Sequence, residues 1–181
     1  MAGSIALGLE DGMRVNRFYF VTPDTVEYYD KRHLFNYGGE GRQYRAGNRR
    51  AIAVWKGARF LLTVCYDLRF PVWARNRKDY DVMLCVASWP VQRRYAWDTL
   101  LRARAIENQC FVVAANRVGK DPSCIYDGGS VILDPLGKPI SACRDGVAET
   151  IAGEVDLKTL ADLRASFPVL ADSDEFSLSR D

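Results

Sequence analysis

Three side chains in the first half of the sequence could together carry out covalent acyl transfer. Lys31 follows an apolar stretch, Glu40 lies in the run Gly38-Gly39-Glu40-Gly41, and Cys65 ends an apolar run that begins at Leu61. A cysteine thiolate attacks a carbonyl carbon, an ammonium stabilises the oxyanion that forms, and a carboxylate moves protons. The spacing alone does not bring the three together, so their convergence in one pocket is a hypothesis.

Cys65 lies where a buried strand turns into a helix. Residues 59–64 are predicted to form a strand, and residues 70–77 a short helix after a polar turn. A helix N-terminus favours negative charge, so a cysteine placed there is expected to have a lowered pKa. The alternative is a small core residue, because cysteine is among the most buried residue types. Cys85, Cys110 and Cys143 are expected to have that structural role.

The surrounding sequence predicts an α/β fold. Continuous apolar runs at 81–87 and 110–115 are typical of strands buried on both faces of a sheet, and helical patterns separate such strands. Residues 31–48 are predicted to form a long loop, and loops of that length are usually functional. The predicted strands are 15–21, 26–29, 51–55, 59–64, 81–87, 110–115, 129–133 and 151–155; the predicted helices are 70–77, 95–108 and 157–166; an extended polar tail is predicted from residue 172.

Composition excludes several classes of protein. The 181 residues are 48% apolar and 27% charged, and the net charge of +2 is too small to indicate binding to nucleic acid or to a membrane surface. The longest apolar runs are about half of what a membrane span needs. Five cysteines without a CxxC pair and a single histidine, His33, argue against a disulfide framework and a metal site. We therefore expect a cytoplasmic protein without a metal ion.

A series of short motifs resembles the nitrilase superfamily of carbon–nitrogen hydrolases. The motifs are YDKRHLF at 29–35, YRAG at 44–47, CYDLRFP at 65–71, ASWP at 87–90, LLRARAIENQ at 100–109 and NRVG at 116–119. The resemblance extends from Ser4 to Phe176, nearly the whole chain. It is strongest to bacterial ω-amidase-like proteins, because the segment after the cysteine reads RFPVW and the chain closes with Phe167-Pro168 and Asp174-Glu175-Phe176.

This resemblance implies an αββα sandwich of two mixed sheets covered by helices, with a Glu–Lys–Cys triad. Cys65 would be the nucleophile, Lys31 the cation that stabilises the oxyanion, and Glu40 the family's second glutamate, which positions the lysine. The backbone N–H of Tyr66 would complete the oxyanion hole, and Trp89 would line the acyl pocket. The implied reaction hydrolyses a small carboxylate-bearing amide, such as a 2-oxo acid amide, to acid and ammonia through a thioester. No cofactor is implied, and a homodimer is.

The sequence departs from the family pattern on its N-terminal side. The family's first glutamate, the general base, lies in a Pro-Glu segment upstream of the lysine. Only Glu10 and Glu27 precede Lys31 here, and neither has that context. The strand–helix–strand–helix portion that the family carries before the Gly3-Ser4-Ile5 segment is also absent. The expectation is a single carbon–nitrogen hydrolase domain over residues 1–181, incomplete at its N-terminus.

Alternatives remain open at two levels. For the whole chain, the alternatives to an ω-amidase are another superfamily enzyme (a nitrilase, a carbamoylase or an acyltransferase) and an inactive fragment that serves as a binding or assembly partner. For the site, a Cys–His dyad through His33 is disfavoured, since the motif assigns the cation to Lys31. Tyr66, Asp67 and Arg69 are expected to form a salt-bridged corner that holds the nucleophile turn.

Overall fold

A six-stranded mixed sheet forms the centre of the fold in the computed structural model, which describes residues 1–178. Its strands in spatial order are β11 (Pro139–Ala142), β10 (Val131–Leu133), β7 (Phe111–Asn116), β6 (Val82–Ala87), β5 (Ala58–Val64) and β4 (Ile52–Trp55). Strands β5, β6 and β7 are parallel, and the other neighbouring pairs are antiparallel. The segments that follow the three parallel strands therefore meet at one end of the sheet, and Cys65 begins the first of them.

A three-stranded antiparallel sheet packs against one face of the central sheet. It consists of β1 (Ala2–Gly8), β2 (Arg14–Val21) and β3 (Val26–Asp30), in that order. Side chains two residues apart on a strand share a face, so Phe18 and Phe20 of β2 point the same way. Both are buried, and with Tyr29 they form one apolar cluster with Leu62 and Val64 of β5. This contact between the sheets sets where the end of β3 lies relative to the end of β5.

Helix α2 (Arg94–Asn108), which connects β6 to β7, covers the other face of the central sheet. The short helix α1 (Pro71–Ala74) follows β5 after a turn, with Trp73 buried on one side of the sheet and Ala74 on the other. On α2, Trp97, Leu101 and Ala105 recur every four residues, which places them on one side of the helix. All three are fully buried in the cluster formed with the sheet.

The remaining elements lie around the two sheets. Helix α3 (Leu157–Ser166) begins after the capping residue Asp156, whose carboxylate accepts hydrogen bonds from two N–H groups of the first turn. Its Leu160 is buried on the same side of the central sheet as the three-stranded sheet. A hairpin of β8 (Val118–Lys120) and β9 (Ile125–Asp127) follows β7. Among residues 1–178 there is no helix of the length and apolarity that a bilayer span requires.

The predicted α/β class is confirmed, and most predicted elements agree with the observed ones to within a few residues. The helix predicted over 70–77 is shorter, because α1 has only four residues and a 3₁₀ turn, Cys65–Arg69, precedes it. The predicted loop 31–48 contains two 3₁₀ turns, at Asn36–Gly38 and Glu40–Arg42. Strands β1, β8, β9 and β11 were not among the predicted elements.

The strand predicted over 151–155 is wrong. These residues have no regular secondary structure. A Cβ atom on Gly153 would lie 3.1 Å from side-chain atoms of both Ile132 and Ile140, so the segment crosses over β10 and β11 instead of pairing with an edge strand. Residues 173–178 of the predicted polar tail also lack regular structure, and residues 179–181 of that tail lie outside the described part of the chain.

The buried side of α2 gives a prediction for stability. Leu101 is fully buried, so Leu101→Ala is expected to lower the free energy of unfolding by about 2–5 kcal/mol through lost burial and the cavity left behind. Tyr95 on the same helix is 85% exposed, so Tyr95→Ala is expected to change it by about 0.5 kcal/mol at most. Urea unfolding of both variants measures this, and equal losses would contradict the assigned face.

Candidate active site

A cavity of about 600 Å³ lies where the ends of the three parallel strands face the three-stranded sheet. The three-stranded sheet contributes Ser4 and Asn16 to its wall, and the loop after β3 contributes Lys31, Phe35 and Glu40. The ends of β5, β6 and β7 and the segments that follow them contribute the rest. All five residues predicted for the site line this one cavity: Lys31, Glu40, Cys65, Tyr66 and Trp89. The convergence that the sequence spacing could not establish is therefore present in the structure.

Cys65 is held in an unusual backbone conformation at the end of β5. Its φ angle is +48°, a region that residues other than glycine rarely adopt, and it begins the 3₁₀ turn Cys65–Arg69. The turn is fixed from two sides: the Val64 N–H donates to Asp67 (3.0 Å), and Arg104 of α2 donates to the Leu68 carbonyl (2.7 Å). The thiol lies 4.0 Å from the carbonyl oxygen of Ser88 at the end of β6.

The expected lowering of the Cys65 pKa is wrong, because burial raises the pKa of this thiol above its ordinary value. The Lys31 ammonium acts in the opposite direction and lowers it, while the carboxylates of Glu40 and Asp67 raise it further. The element that follows Cys65 is a single 3₁₀ turn, which offers a much smaller aligned dipole than a long α-helix. Lys31 thus has the largest effect in favour of the thiolate, and the contact with the Ser88 backbone adds a smaller one.

Lys31 is almost fully buried, with 3% of its side chain exposed. Its backbone is fixed on both sides, because its N–H donates to the Asn16 carbonyl and its own carbonyl accepts from the Gly47 N–H, each at 2.9 Å. Gly47 must be a glycine for this approach, since a Cβ atom there would lie 2.0 Å from the Asp30 carbonyl oxygen. The YRAG motif therefore ties the end of the long loop to the residue that carries the ammonium.

The Lys31 ammonium donates to the Glu40 carboxylate at 2.6 Å. The same carboxylate oxygen, Oε2, accepts from the Phe35 N–H at 2.6 Å, which closes the loop around the ion pair. An ammonium has three N–H groups, so two remain for a ligand in the cavity. Glu40 is the sole carboxylate of residues 1–178 that lines the cavity, and neither Glu10 nor Glu27 does.

The corner around Asp67 is built differently from the prediction. Asp67 is fully buried and forms no ion pair with Arg69; it accepts hydrogen bonds from Tyr29 Oη (2.9 Å), the Val64 N–H (3.0 Å) and His33. His33 contacts it twice, through its backbone N–H at 3.0 Å and its ring Nδ1 at 2.8 Å. The His33 ring stacks on Phe70 and does not line the cavity, so a Cys–His dyad has no support in the geometry.

Trp89 is fixed by Asn116, a residue that the sequence argument did not single out. Asn116 at the end of β7 accepts from the Trp89 N–H at 2.7 Å and donates to the Trp89 carbonyl at 2.9 Å. The indole N–H of Trp89 donates to the Arg93 carbonyl at 2.8 Å. The only sequence signal for Asn116 was its place in the NRVG motif.

Tyr66 also lines the cavity, and its N–H belongs to the first turn of a helix, where such groups have no acceptor within the helix.

The cavity wall carries an excess of positive charge. Arg69, Arg93 and Arg117 line it together with the Lys31–Glu40 pair. Arg117 lies 3.5 Å from Asp121, whereas Arg69 stacks over Trp89 and Arg93 over Phe35. Within residues 1–178 neither of these two has a carboxylate partner, so both guanidinium groups can bind an anion.

Metal ligands do not gather in this cavity. Across residues 1–178 the structure contains no group of three or more histidine, cysteine, aspartate or glutamate side chains close enough to hold a metal ion. The charged side chains that line the cavity are an ammonium, guanidinium groups and a single carboxylate, and they lie beside the thiol. The arrangement is equipped for covalent attack on a carbonyl carbon next to an anionic group.

Comparison with known proteins agrees with this geometry. Residues 10–165 match the family model described as carbon-nitrogen hydrolase. The chain is 51% identical over 180 residues to Omega-amidase YafV of Yersinia enterocolitica, covering 98% of this chain and 70% of that protein. It is 36% identical over 177 residues to 2-oxoglutaramate amidase of Bacillus subtilis, covering 95% and 67%.

The crystal structure of XC1258 from Xanthomonas campestris, a CN-hydrolase superfamily protein with an arsenic adduct in its active site, has the same fold. It superposes with a TM-score of 0.92 at 46% identity, over 98% of this chain and 70% of that one. The nitrilase-like fold that the motif series implied is thereby confirmed. With a family model that matches most of the sequence and relatives of this similarity, the chain belongs to the carbon–nitrogen hydrolase family.

Proposed function

We propose that this chain is an ω-amidase that hydrolyses the amide of a small 2-oxo acid bearing a carboxylate, with 2-oxoglutaramate as the model substrate. Membership of the carbon–nitrogen hydrolase family and the amidase relatives indicate an amidase enzyme. The observation that carries the assignment of roles is the placement of Cys65 in one cavity with the Lys31–Glu40 ion pair.

In the proposed first step, the Cys65 thiolate attacks the amide carbonyl carbon. The carbonyl oxygen becomes an oxyanion, which the Lys31 ammonium and the Tyr66 N–H stabilise, since both line the cavity beside the thiol. Collapse of this intermediate breaks the carbon–nitrogen bond, and the nitrogen leaves as ammonia with the proton that the thiol gave up. A thioester on Cys65 remains.

In the proposed second step, water attacks the thioester carbonyl, and the acid and the free thiol are released. Glu40 holds Lys31 in place for both steps, and its carboxylate can orient the attacking water. Trp89 is buried next to the thiol-bearing turn and would form the wall against which the acyl chain packs. The sum of the two steps is amide plus water giving acid plus ammonia.

The charge of the cavity supports an anionic substrate. Of the three arginines that line the cavity, Arg69 and Arg93 have no carboxylate partner among the described residues. A guanidinium can bind a carboxylate through two parallel N–H···O bonds, which gives both affinity and orientation. We therefore propose that one or both bind the carboxylate of the substrate and fix the amide carbon near Cys65.

Removing these charges is expected to weaken binding of anionic amides selectively. Arg69→Gln and Arg93→Gln should each raise KM for 2-oxoglutaramate by about 10–100-fold, the equivalent of one charge-assisted hydrogen bond, with a smaller change in kcat. Arg102→Gln makes the same charge change on α2 outside the cavity and serves as the control. Steady-state kinetics on the anionic amide and on a neutral amide of the same length measure this. Equal losses on the two amides would remove the assignment.

The proposed function is tested by ammonia release from three substrates. 2-Oxoglutaramate, a nitrile and an N-carbamoyl amino acid of similar size distinguish an ω-amidase from a nitrilase and a carbamoylase, and we expect turnover of the first. Intact-mass spectrometry after rapid quenching should show an acyl adduct on Cys65. Neither ammonia nor an adduct with any amide would favour the inactive-fragment interpretation instead.

We also propose a homodimer located in the cytoplasm. The nucleophile must stay a free thiol, and all five cysteines are unpaired in the structure, as is usual in a reducing compartment. Tyr95 and Ile106 lie eleven residues apart, three turns along α2, and both are exposed, so they share a face that a second subunit could cover. Sedimentation equilibrium and cell fractionation measure these two properties.

A further inference from the structure

We infer that Asp67 is a positioning residue: it ties the turn that carries Cys65 to the segment that carries Lys31, and so sets the placement of the thiol relative to the ammonium. The inference rests on the function proposed for that pair. Asp67 does not line the cavity, so it acts on the reaction through the residues it holds and through its charge, which raises the pKa of the Cys65 thiol.

The contacts of Asp67 reach both sheets. Within its own turn, Oδ2 accepts from the Val64 N–H at 3.0 Å, which fixes the backbone beside the nucleophile. The same oxygen accepts from Tyr29 Oη at 2.9 Å, and Oδ1 accepts from the His33 N–H at 3.0 Å and from His33 Nδ1 at 2.8 Å. Four hydrogen bonds thus converge on one carboxylate that is fully buried.

Asp67 holds Tyr29 and His33, which lie two residues before and two residues after Lys31. Tyr29 is the penultimate residue of β3, and Lys31 directly follows that strand. His33 follows directly in the loop. The Tyr29 hydroxyl also accepts from the Arg32 N–H at 2.9 Å, so the backbone on both sides of Lys31 is connected to Asp67. Among the described residues, no other side chain of the turn Cys65–Arg69 hydrogen-bonds to residues 29–35.

Asparagine cannot replace Asp67 at this position without conflict. All four partners approach as donors when the His33 ring N–H faces the carboxylate, and an ionised carboxylate is an acceptor on both oxygens. An asparagine amide would place its NH₂ group against donors on one side. In Asp67→Asn the segments that carry Cys65 and Lys31 should therefore shift relative to each other, although the side chain has nearly the same volume.

The decisive test measures how strongly Lys31 acts on Cys65 with and without Asp67. The charges with the largest effect on the thiol are those of Lys31, Glu40 and Asp67 itself, and Arg69, Arg93 and Arg117 line the same cavity. The rate of Cys65 alkylation by iodoacetamide, followed by mass spectrometry across pH, gives the midpoint for thiolate formation. Lys31→Met should raise this midpoint in the wild-type background and raise it by less than half as much in the Asp67→Asn background, because the ammonium is no longer held in place.

Turnover gives a second readout. We expect Asp67→Asn to lower kcat by about 100-fold, the usual size of a misplacement of about 1 Å, with KM for 2-oxoglutaramate within about threefold of wild type. Tyr29→Phe removes one of the four hydrogen bonds, so its kcat should lie between those of wild type and Asp67→Asn. It is the variant to use if Asp67→Asn does not fold. Activities are expressed per folded molecule.

Asp81→Asn is the matched control. Asp81 is also buried and accepts several hydrogen bonds, from Arg59 and Arg164, but it precedes β6 at the opposite end of the sheet. Asp81→Asn should lower the melting temperature without changing kcat or the shift of the alkylation midpoint that Lys31→Met causes. Equal effects of Lys31→Met in the wild-type and Asp67→Asn backgrounds would overturn the inference whatever the change in kcat. If wild-type protein releases no ammonia, the proposed function fails, and the alkylation comparison still decides the role of Asp67.

Discussion

Cys65→Ala is expected to abolish amide hydrolysis, lowering kcat/KM by at least about 10⁴-fold, because no other thiol of residues 1–178 lines the cavity to form the thioester. The acyl adduct should disappear from the intact-mass spectrum at the same time. Alanine has no larger a side chain and meets the same positive φ angle of 48°, so the free energy of unfolding should change by only about 1 kcal/mol. Ammonia release, quenched-flow mass spectrometry and urea unfolding on one preparation measure the three quantities.

The matched control for this variant is Cys124→Ala. Cys124 is a free, partly exposed thiol in the loop that joins β8 to β9, and it does not line the cavity. Its removal should leave turnover unchanged, which shows that loss of a thiol as such is harmless. Wild-type activity in Cys65→Ala would end the nucleophile assignment and with it the proposed mechanism.

Lys31→Met is expected to lower kcat by about 10³-fold, because it removes a charged donor from the oxyanion site and replaces it with a side chain of similar length. It should also move the midpoint of Cys65 alkylation upward. The sign follows from the charges: the ammonium lowers the pKa of the thiol, so without it burial acts with less opposition and a higher pH is needed to form the thiolate.

Glu40→Gln, at the other member of the ion pair, is expected to shift the pH midpoint of Cys65 alkylation in the opposite direction. The Glu40 carboxylate raises the pKa of Cys65, so its neutral isostere should move the alkylation midpoint downward while kcat still falls, since Lys31 loses the partner that holds it at 2.6 Å. Shifts in the same direction for the two variants would mean that neither charge acts on the thiol directly. The pH profiles of both variants and of wild type, recorded at one ionic strength, make this comparison.

The motif series predicted much of the candidate site before any coordinates. It named Lys31, Glu40 and Cys65, and the structure places all three in one cavity, with Tyr66 and Trp89 beside them. The apolar runs likewise predicted the parallel strands of the central sheet, because continuous burial on both faces leaves a strong pattern. The catalytic roles of Lys31, Glu40 and Cys65 remain predictions that the variants above address.

Other features had no local pattern to reveal them. Asp67 bonds to residues 34 and 38 positions earlier in the chain, and such a contact exists only after the two sheets have packed. The sign of the Cys65 pKa shift depends on the balance between burial and Lys31, which no spacing encodes. The segment around Gly153 has a strand-like sequence pattern because apolar residues that cover a sheet face alternate much as those of a paired strand do.

The two groups proposed to react belong to different layers of the molecule: Lys31 extends β3 of the small sheet, and Cys65 extends β5 of the large one. The reaction geometry is consequently governed by how far apart the layers stand, and apolar side chains such as Phe18 and Leu62 act as spacers between them. Substitutions that change the size of these side chains, remote from any ligand, are therefore expected to alter turnover by changing the distance between the two sheets.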